Sequence, residues 1–142
     1  MKRVISVVSI VVAVTFALRP EPRAVIVKTA EHQVRLDSAT QLGTVHASLR
    51  NNTRDSTNLL GCLGVPAFDI ERHVGNRWVK VGNFPCPSEK ASITMSLASW
   101  QSVTVPLRVR GPGDYRLNVV WIPHGYWANQ GRHATSATFE VR

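Results

Sequence analysis

The sequence predicts an all-β domain, an antiparallel sandwich of about seven strands, behind an apolar N-terminal leader. Three observations carry that expectation. Short β-branched and aromatic runs recur along the chain with apolar and polar residues in alternation. Clusters of Gly, Pro, Asn and Ser punctuate them, and no stretch after the leader sustains a helical period with caps. Apolar content of 44% and charged content of 18% are ordinary for a globular protein, and 142 residues suffice for one two-layer domain plus a leader.

The leader comes first. Lys2-Arg3 is a positive n-region, Val4 through Val14 an apolar h-region, and Thr15-Phe16-Ala17 offers small residues where a signal peptidase cuts. Residues 1–17 are therefore expected to be a signal peptide, and the domain an exported one: periplasmic, secreted or at the cell surface. The alternative is an uncleaved anchor over residues 4–18, a run shorter than the ~20 residues a helix needs to cross the bilayer core. Membrane contact is expected only in that case. With no cysteine behind the h-region, a lipoprotein anchor is excluded. Residues 18–23 are a proline-punctuated spacer around Arg19-Pro20-Glu21-Pro22-Arg23, and the domain proper is expected over 24–142.

Within it, Ala24-Val25-Ile26-Val27-Lys28 opens as a β-branched run. Thr44 to Arg50 alternates, with Val45, Ala47 and Leu49 on one face and His46, Ser48 and Arg50 on the other. Asn51-Asn52-Thr53-Arg54-Asp55-Ser56 ends it as a turn; Asn51-Asn52-Thr53 is formally an N-glycosylation acceptor, more simply turn chemistry. Phe68 and Ile70 alternate with Asp69 and Glu71, Gly75-Asn76 suits a two-residue hairpin turn, and Trp78-Val79-Lys80-Val81 returns. Trp100 through Arg110 carries Val103, Val105, Leu107 and Val109 in step. Tyr115 to Trp121 and Thr138 to Val141 complete the set.

Taken together, these segments resemble the bacterial immunoglobulin-like domains of exported proteins: the Leu49-Arg50-Asn51-Asn52-Thr53 turn, Phe68-Asp69-Ile70-Glu71-Arg72, Gly75-Asn76-Arg77-Trp78-Val79, Val103-Thr104-Val105-Pro106-Leu107 and Gly113-Asp114-Tyr115-Arg116-Leu117. The resemblance covers about Ala24 to Arg142. It implies an immunoglobulin-like sandwich, with Tyr115 as a tyrosine corner whose hydroxyl ties the E–F connection to nearby backbone. The chain departs from antibody domains, because its cysteines flank one hairpin and Leu117 stands where the second core cysteine would be. Such folds host many functions, so the resemblance names none.

Cys62 and Cys86 are the only cysteines and bracket the Gly75-Asn76 hairpin. A disulfide is expected in an exported chain, closing a loop worth about 3 kcal/mol in the chain-entropy model; two unrelated thiols are the alternative. A cysteine metal site is disfavoured, since neither has a His or second Cys at ligand spacing.

Charge and chemistry narrow the function. Lys plus Arg exceed Asp plus Glu by 17 to 9, and cleavage of the leader would lower the net charge from +8 to +6. The basic residues look scattered along the sequence, and no helix-turn-helix, zinc-finger or RNA-recognition signature accompanies them, so no nucleic-acid partner is expected. The charge fits solubility and a general affinity for anionic surfaces. His46 and His73 sit at polar strand positions, His32 lies in a polar connection, and His124 and His133 share the last loop. Two imidazoles alone make no metal site, and no cofactor is expected. No Gly-x-Ser-x-Gly, paired acids, P-loop or dinucleotide fingerprint occurs, so an enzyme is not expected.

The segment Trp121-Ile122-Pro123-His124-Gly125-Tyr126-Trp127-Ala128-Asn129-Gln130-Gly131-Arg132-His133 is richer than a connection needs. Aromatic and Arg side chains dominate binding energy at interfaces, and sandwich domains recognise partners with their end loops. His124, Tyr126, Trp127, Arg132 and His133 are the candidate binding loop. The plain reading is that Trp121 is core and that Tyr126 and Trp127 fold over the open end as a plug. The expected function is a non-catalytic, exported binding or scaffolding module recognising a protein or envelope glycan. The alternative is a secreted proteinase inhibitor presenting Ile122 to His133 or Phe84-Pro85-Cys86-Pro87.

Overall fold

Alternation along the chain becomes burial. In Leu42–Asn51 (β3) the residues Val45, Ala47 and Leu49 are fully buried, while Thr44, His46 and Arg50 face outward. The computed structural model describes residues 25–142; the leader, the anchor run, the spacer and Ala24 lie outside the described residues. β3 is the middle strand of a three-stranded antiparallel sheet, between Val25–Thr29 (β1) and Ser102–Arg110 (β9). Register places Val27 opposite Leu49, Ala47 opposite Val105 and Val45 opposite Leu107, so one face of the sheet is a continuous apolar layer.

The second, nine-stranded sheet is built around Gly113–Ile122 (β10). On one side of it lie Arg132–Thr135 (β11) and Phe139–Val141 (β12); on the other lie Thr57–Cys62 (β4) and Phe68–Val74 (β6). Arg77–Phe84 (β7) pairs with β6, Ser92–Leu97 (β8) and Val65–Pro66 (β5) pair with β4, and Gln33–Val34 (β2) pairs parallel with β12. Every other pairing is antiparallel. Tyr115, Leu117, Val119 and Trp121 of β10 meet Phe68, Ile70, Phe139 and the apolar layer of the first sheet in one core.

The domain is all-β with two sheets, as the alternation implied. About seven strands were expected and twelve form among the described residues. β1, β3, β6, β7, β9, β10 and β12 are the seven; β2, β4, β5, β8 and β11 are additional. β11 and β12 are interrupted at Ser136, whose hydroxyl accepts the Leu117 amide at 2.9 Å in place of a ladder bond. β9 also starts later than expected, because Ala98 to Gln101 close a turn (Gln101 N–H to Ala98 O, 3.0 Å) and Trp100 has φ 65°. The Gly75-Asn76 turn forms with Gly75 alone at positive φ, 63°, the pattern of a type II′ hairpin, and Val74 faces Arg77 across it.

Cys62 and Cys86 are joined in a disulfide with Cα atoms 6.2 Å apart. It fastens the end of β4 to the segment that leaves β7, flanking the β6–β7 hairpin as the spacing implied. The Tyr115 hydroxyl donates to the Arg110 carbonyl at 2.6 Å and lies 3.1 Å from that of Gly111, tying the start of β10 to the end of β9.

Candidate functional site

The end of the domain where β10 leaves the core gathers three connections. Residues 52–56 follow β3, residues 98–101 join β8 to β9, and residues 123–131 join β10 to β11. Asn51, fully buried, locks the first two together. Its Nδ2 donates to Asp55 O (2.8 Å) and Leu97 O (2.9 Å), and its Oδ1 accepts from the Thr53 amide (2.9 Å) and hydroxyl (2.7 Å). With its amide sealed in the turn, Asn51 is turn chemistry and not an accessible glycan acceptor in the folded chain. Ser99 Oγ donates to Thr53 O at 2.7 Å, and Ser56 Oγ approaches His124 Nδ1 at 3.5 Å, bringing the third connection alongside.

The third connection holds its own shape. The Tyr126 amide donates to Pro123 O (3.1 Å), the Gln130 amide to Trp127 O (2.9 Å), and the Gln130 side-chain oxygen accepts the Trp127 amide (3.0 Å). Arg132 places its guanidinium 5.8 Å from the Trp121 ring centroid and 5.7 Å from that of Tyr126, bridging the core aromatic and the loop aromatic. Trp121 is 3% exposed, Tyr126 is half exposed and Trp127 is 78% exposed. Trp121 is therefore core, but Tyr126 and Trp127 do not plug the end. The two imidazoles of the loop have different neighbours: His124 faces Ser56, whereas His133 Nδ1 lies 3.2 Å from Asn118 Nδ2 on the neighbouring strand. Among the described residues no group of three or more His, Cys, Asp or Glu is arranged to hold a metal ion. Among the described residues no carboxylate hydrogen bond orients the His124 ring, and the Ser56–His124 approach is a long 3.5 Å loop contact.

The two outer faces differ in charge. On the nine-stranded sheet Arg116 pairs with Glu71 and lies 4.5 Å over the Trp78 ring, and Lys80 sits 2.8 Å from Asp69 and 3.1 Å from Glu89. The hydrogen bond to the Asp69 side chain, with a second to Glu89, raises the Lys80 ammonium above its ordinary value against the effect of burial. These charges satisfy one another. The other sheet's outer face is different: β1, β3 and β9 contain no Asp or Glu, and Lys28, Arg50, Arg108 and Arg110 all point outward. At one end of that face Ile26, Lys28, Ser48, Arg50, Asn52 and Ser102 line a groove of about 210 Å³. The basic residues, scattered in sequence, are gathered because strand alternation sends positions 28, 50, 108 and 110 to the same side. That periodicity was the available signal.

Trp100 is the other residue that sequence reasoning left in a strand. It is 51% exposed, and Arg50 stands 6.0 Å from its ring. No known protein family matches the chain, and no curated protein resembles it significantly in sequence.

Proposed function

We propose that the chain is a non-catalytic, immunoglobulin-like recognition module of an exported bacterial protein, which captures a protein partner with the loop end carrying Trp127. The single observation behind this reading is Trp127: a large aromatic side chain at 78% exposure on a loop whose backbone is pinned by Gln130. A pre-ordered aromatic residue gives contact area without an ordering cost on binding, which is how interface anchors work. Tyr126, Arg132 and Trp100 at the same end enlarge the surface.

The fold half of the reading rests on strand partition. β1, β3 and β9 take the places of strands A, B and E, and β6, β10 and β12 those of C, F and G, with Tyr115 bonded across the E–F connection. The disulfide fits an oxidising compartment, and the apolar leader fits export.

The test is capture from envelope extract by the wild-type chain and by Trp127→Ala, followed by affinity measurement on the purified captured protein. The reading expects at least tenfold weaker binding by the variant at unchanged stability. Equal capture by both overturns it. The same pinned exposure also suits a peptidase inhibitor, so the captured protein is assayed for peptidase activity with and without the chain; dose-dependent inhibition lost in Trp127→Ala identifies that second reading.

A further inference from the structure

The outer face of the three-stranded sheet has the makings of a ligand site beside the loop end. Its strands carry no carboxylate, and among the described residues neither Lys28 nor Arg50 pairs with one. Glu31 meets this face at His46, whose Nδ1 is 2.6 Å away. Against that one carboxylate, Lys28, Arg50, Arg108 and Arg110 leave the face with an excess of positive charge, a focus for anions.

The groove adds hydrogen-bonding groups to that charge. Register sets Ile26, Arg50 and Ser102 side by side across the sheet, with Lys28 beside Ser48 one step along. The Ser48 and Ser102 hydroxyls and the Asn52 amide line the same groove. Asn52 Oδ1 itself is shielded from solvent and has no hydrogen-bond partner among the described residues. At about 210 Å³ the groove is smaller than the ~300–1,000 Å³ of a drug-sized pocket, the scale of a single ring with its substituents.

Trp100 supports the cationic end. It is held at φ 65°, a region that bulky side chains rarely occupy, yet half of it is exposed, so core packing does not account for it. The Arg50 guanidinium stands 6.0 Å from its ring centroid, so the indole borders the cationic end of the groove. Further along β9, Arg108 and Arg110 face the same way; six residues of strand place Arg108 about 20 Å from Ser102. Cations at both ends of one face suit a linear polyanion.

The geometry points to a binding site for an acidic polysaccharide, with Lys28 and Arg50 on the carboxylate of a sugar ring, Ser48, Ser102 and Asn52 on its hydroxyls, and Arg108 and Arg110 on a later acidic unit of the same polymer. Anionic lipid surfaces and nucleic acids share the charge; a groove of about 210 Å³ at single-ring scale, lined by Ser48, Ser102 and Asn52 beside the cations, favours a sugar ring that carries its own carboxylate. The site adjoins the loop end through Asn52 and Trp100 but makes no use of Trp127.

The experiment uses the full chain with four probes: polygalacturonate oligomers, neutral dextran, single-stranded DNA and phosphatidylglycerol vesicles. Polygalacturonate should bind and dextran should not. Lys28→Gln combined with Arg50→Gln should weaken polygalacturonate binding at least tenfold, whereas Trp127→Ala should leave it unchanged. The decisive variants conserve charge: Asn52→Ala and Ser48→Ala should each weaken polygalacturonate binding about threefold or more without altering DNA binding. Ser48 is on the outer face, so it remains informative if Asn52→Ala fails to fold. No polygalacturonate binding overturns the inference. So does binding that Ser48→Ala leaves intact, or DNA or vesicle binding as tight as that of the glycan, since either outcome makes the face a general anion surface.

Discussion

The Tyr115 hydroxyl donates a 2.6 Å hydrogen bond to the Arg110 carbonyl, across the Gly111-Pro112-Gly113 break between β9 and β10. The two strands lie in different sheets, so this bond fixes how one layer passes to the other. Tyr115 is also buried against Phe139, with ring centroids 5.9 Å apart, and its ring and hydroxyl can be separated by mutation. Tyr115→Phe keeps the packing and removes the donor. It should cost about 1–1.5 kcal/mol in a denaturant melt, the usual net worth of one intramolecular hydrogen bond. Tyr115→Ala should cost at least twice as much, because it adds a cavity.

Asn51 makes a stronger case for a polar residue in the interior. Its amide satisfies two carbonyls and accepts two donors, and replacement by Ala leaves several of these groups without partners in a site water does not reach. Asn51→Ala should lower unfolding free energy by about 3 kcal/mol. Hydrogen exchange should show the loss concentrated in residues 52–56 and 98–101.

Leu63 tips the β4–β5 hairpin at φ 55° and 97% exposure, with Gly64 behind it at φ 75°. A left-handed backbone disfavours Leu, and no packing rewards it there. Leu63→Asn should therefore stabilise the fold by about 1 kcal/mol, because Asn tolerates that region. The readout is the urea midpoint of the oxidised protein. An unchanged or lowered midpoint would mean that the Leu63 side chain contributes something its exposure does not show.

The layers and seven of the strands, β1, β3, β6, β7, β9, β10 and β12, were legible because period-two alternation is a local signal, as in Val103, Val105, Leu107 and Val109. β4 was not legible: Thr57-Asn58-Leu59-Leu60-Gly61-Cys62 is buried on successive residues, so nothing alternates. β2 and β5 have two residues each and exist only through their partners. The candidate loop was visible as composition, but its exposure was not, since Trp121 and Trp127 look alike in sequence and differ only in which side of the sheet end they meet. The groove required register. Ile26, Arg50 and Ser102 are far apart in the chain and become neighbours through two antiparallel pairings that no local pattern specifies.

Acid should weaken the fold through Glu31. Burial, the largest single influence, pushes its carboxyl up, but hydrogen bonds from the His46 ring and the His46 amide together outweigh it and hold the group below its ordinary value. A depressed carboxyl stabilises the folded state above its unfolded value, about 4.3, and that contribution is lost as pH falls through the folded value. Glu31→Gln should thus be less stable than wild type at pH 6, by under about 1 kcal/mol for so exposed a pair. The gap should close by pH 3. A gap that persists at pH 3 would assign the effect to packing.

Trp121 and Trp127 give the sharpest contrast within the chain. Trp121 lies in the core at 3% exposure, so Trp121→Ala should cost about 3–5 kcal/mol through lost burial and a residual cavity. Its indole Nε1 has no hydrogen-bond partner among the described residues, so Trp121→Phe sacrifices area but no bond and should cost less than half as much. Arg132 would keep a ring to lie against in that variant and lose it in Trp121→Ala, which should loosen the Tyr126 end of the loop. Trp127→Ala removes a side chain that touches little of the fold, and stability should stay within about 0.5 kcal/mol of wild type. Denaturant melts of the three variants, read beside tryptophan fluorescence, check this directly. Wild-type emission should carry a red-shifted component from Trp127 and the half-exposed Trp100, which weakens with Trp127→Ala and persists with Trp121→Phe. If Trp127→Ala instead destabilised the protein by several kcal/mol, the indole would be packed against the domain end, and the exposed anchor on which the recognition reading rests would be gone.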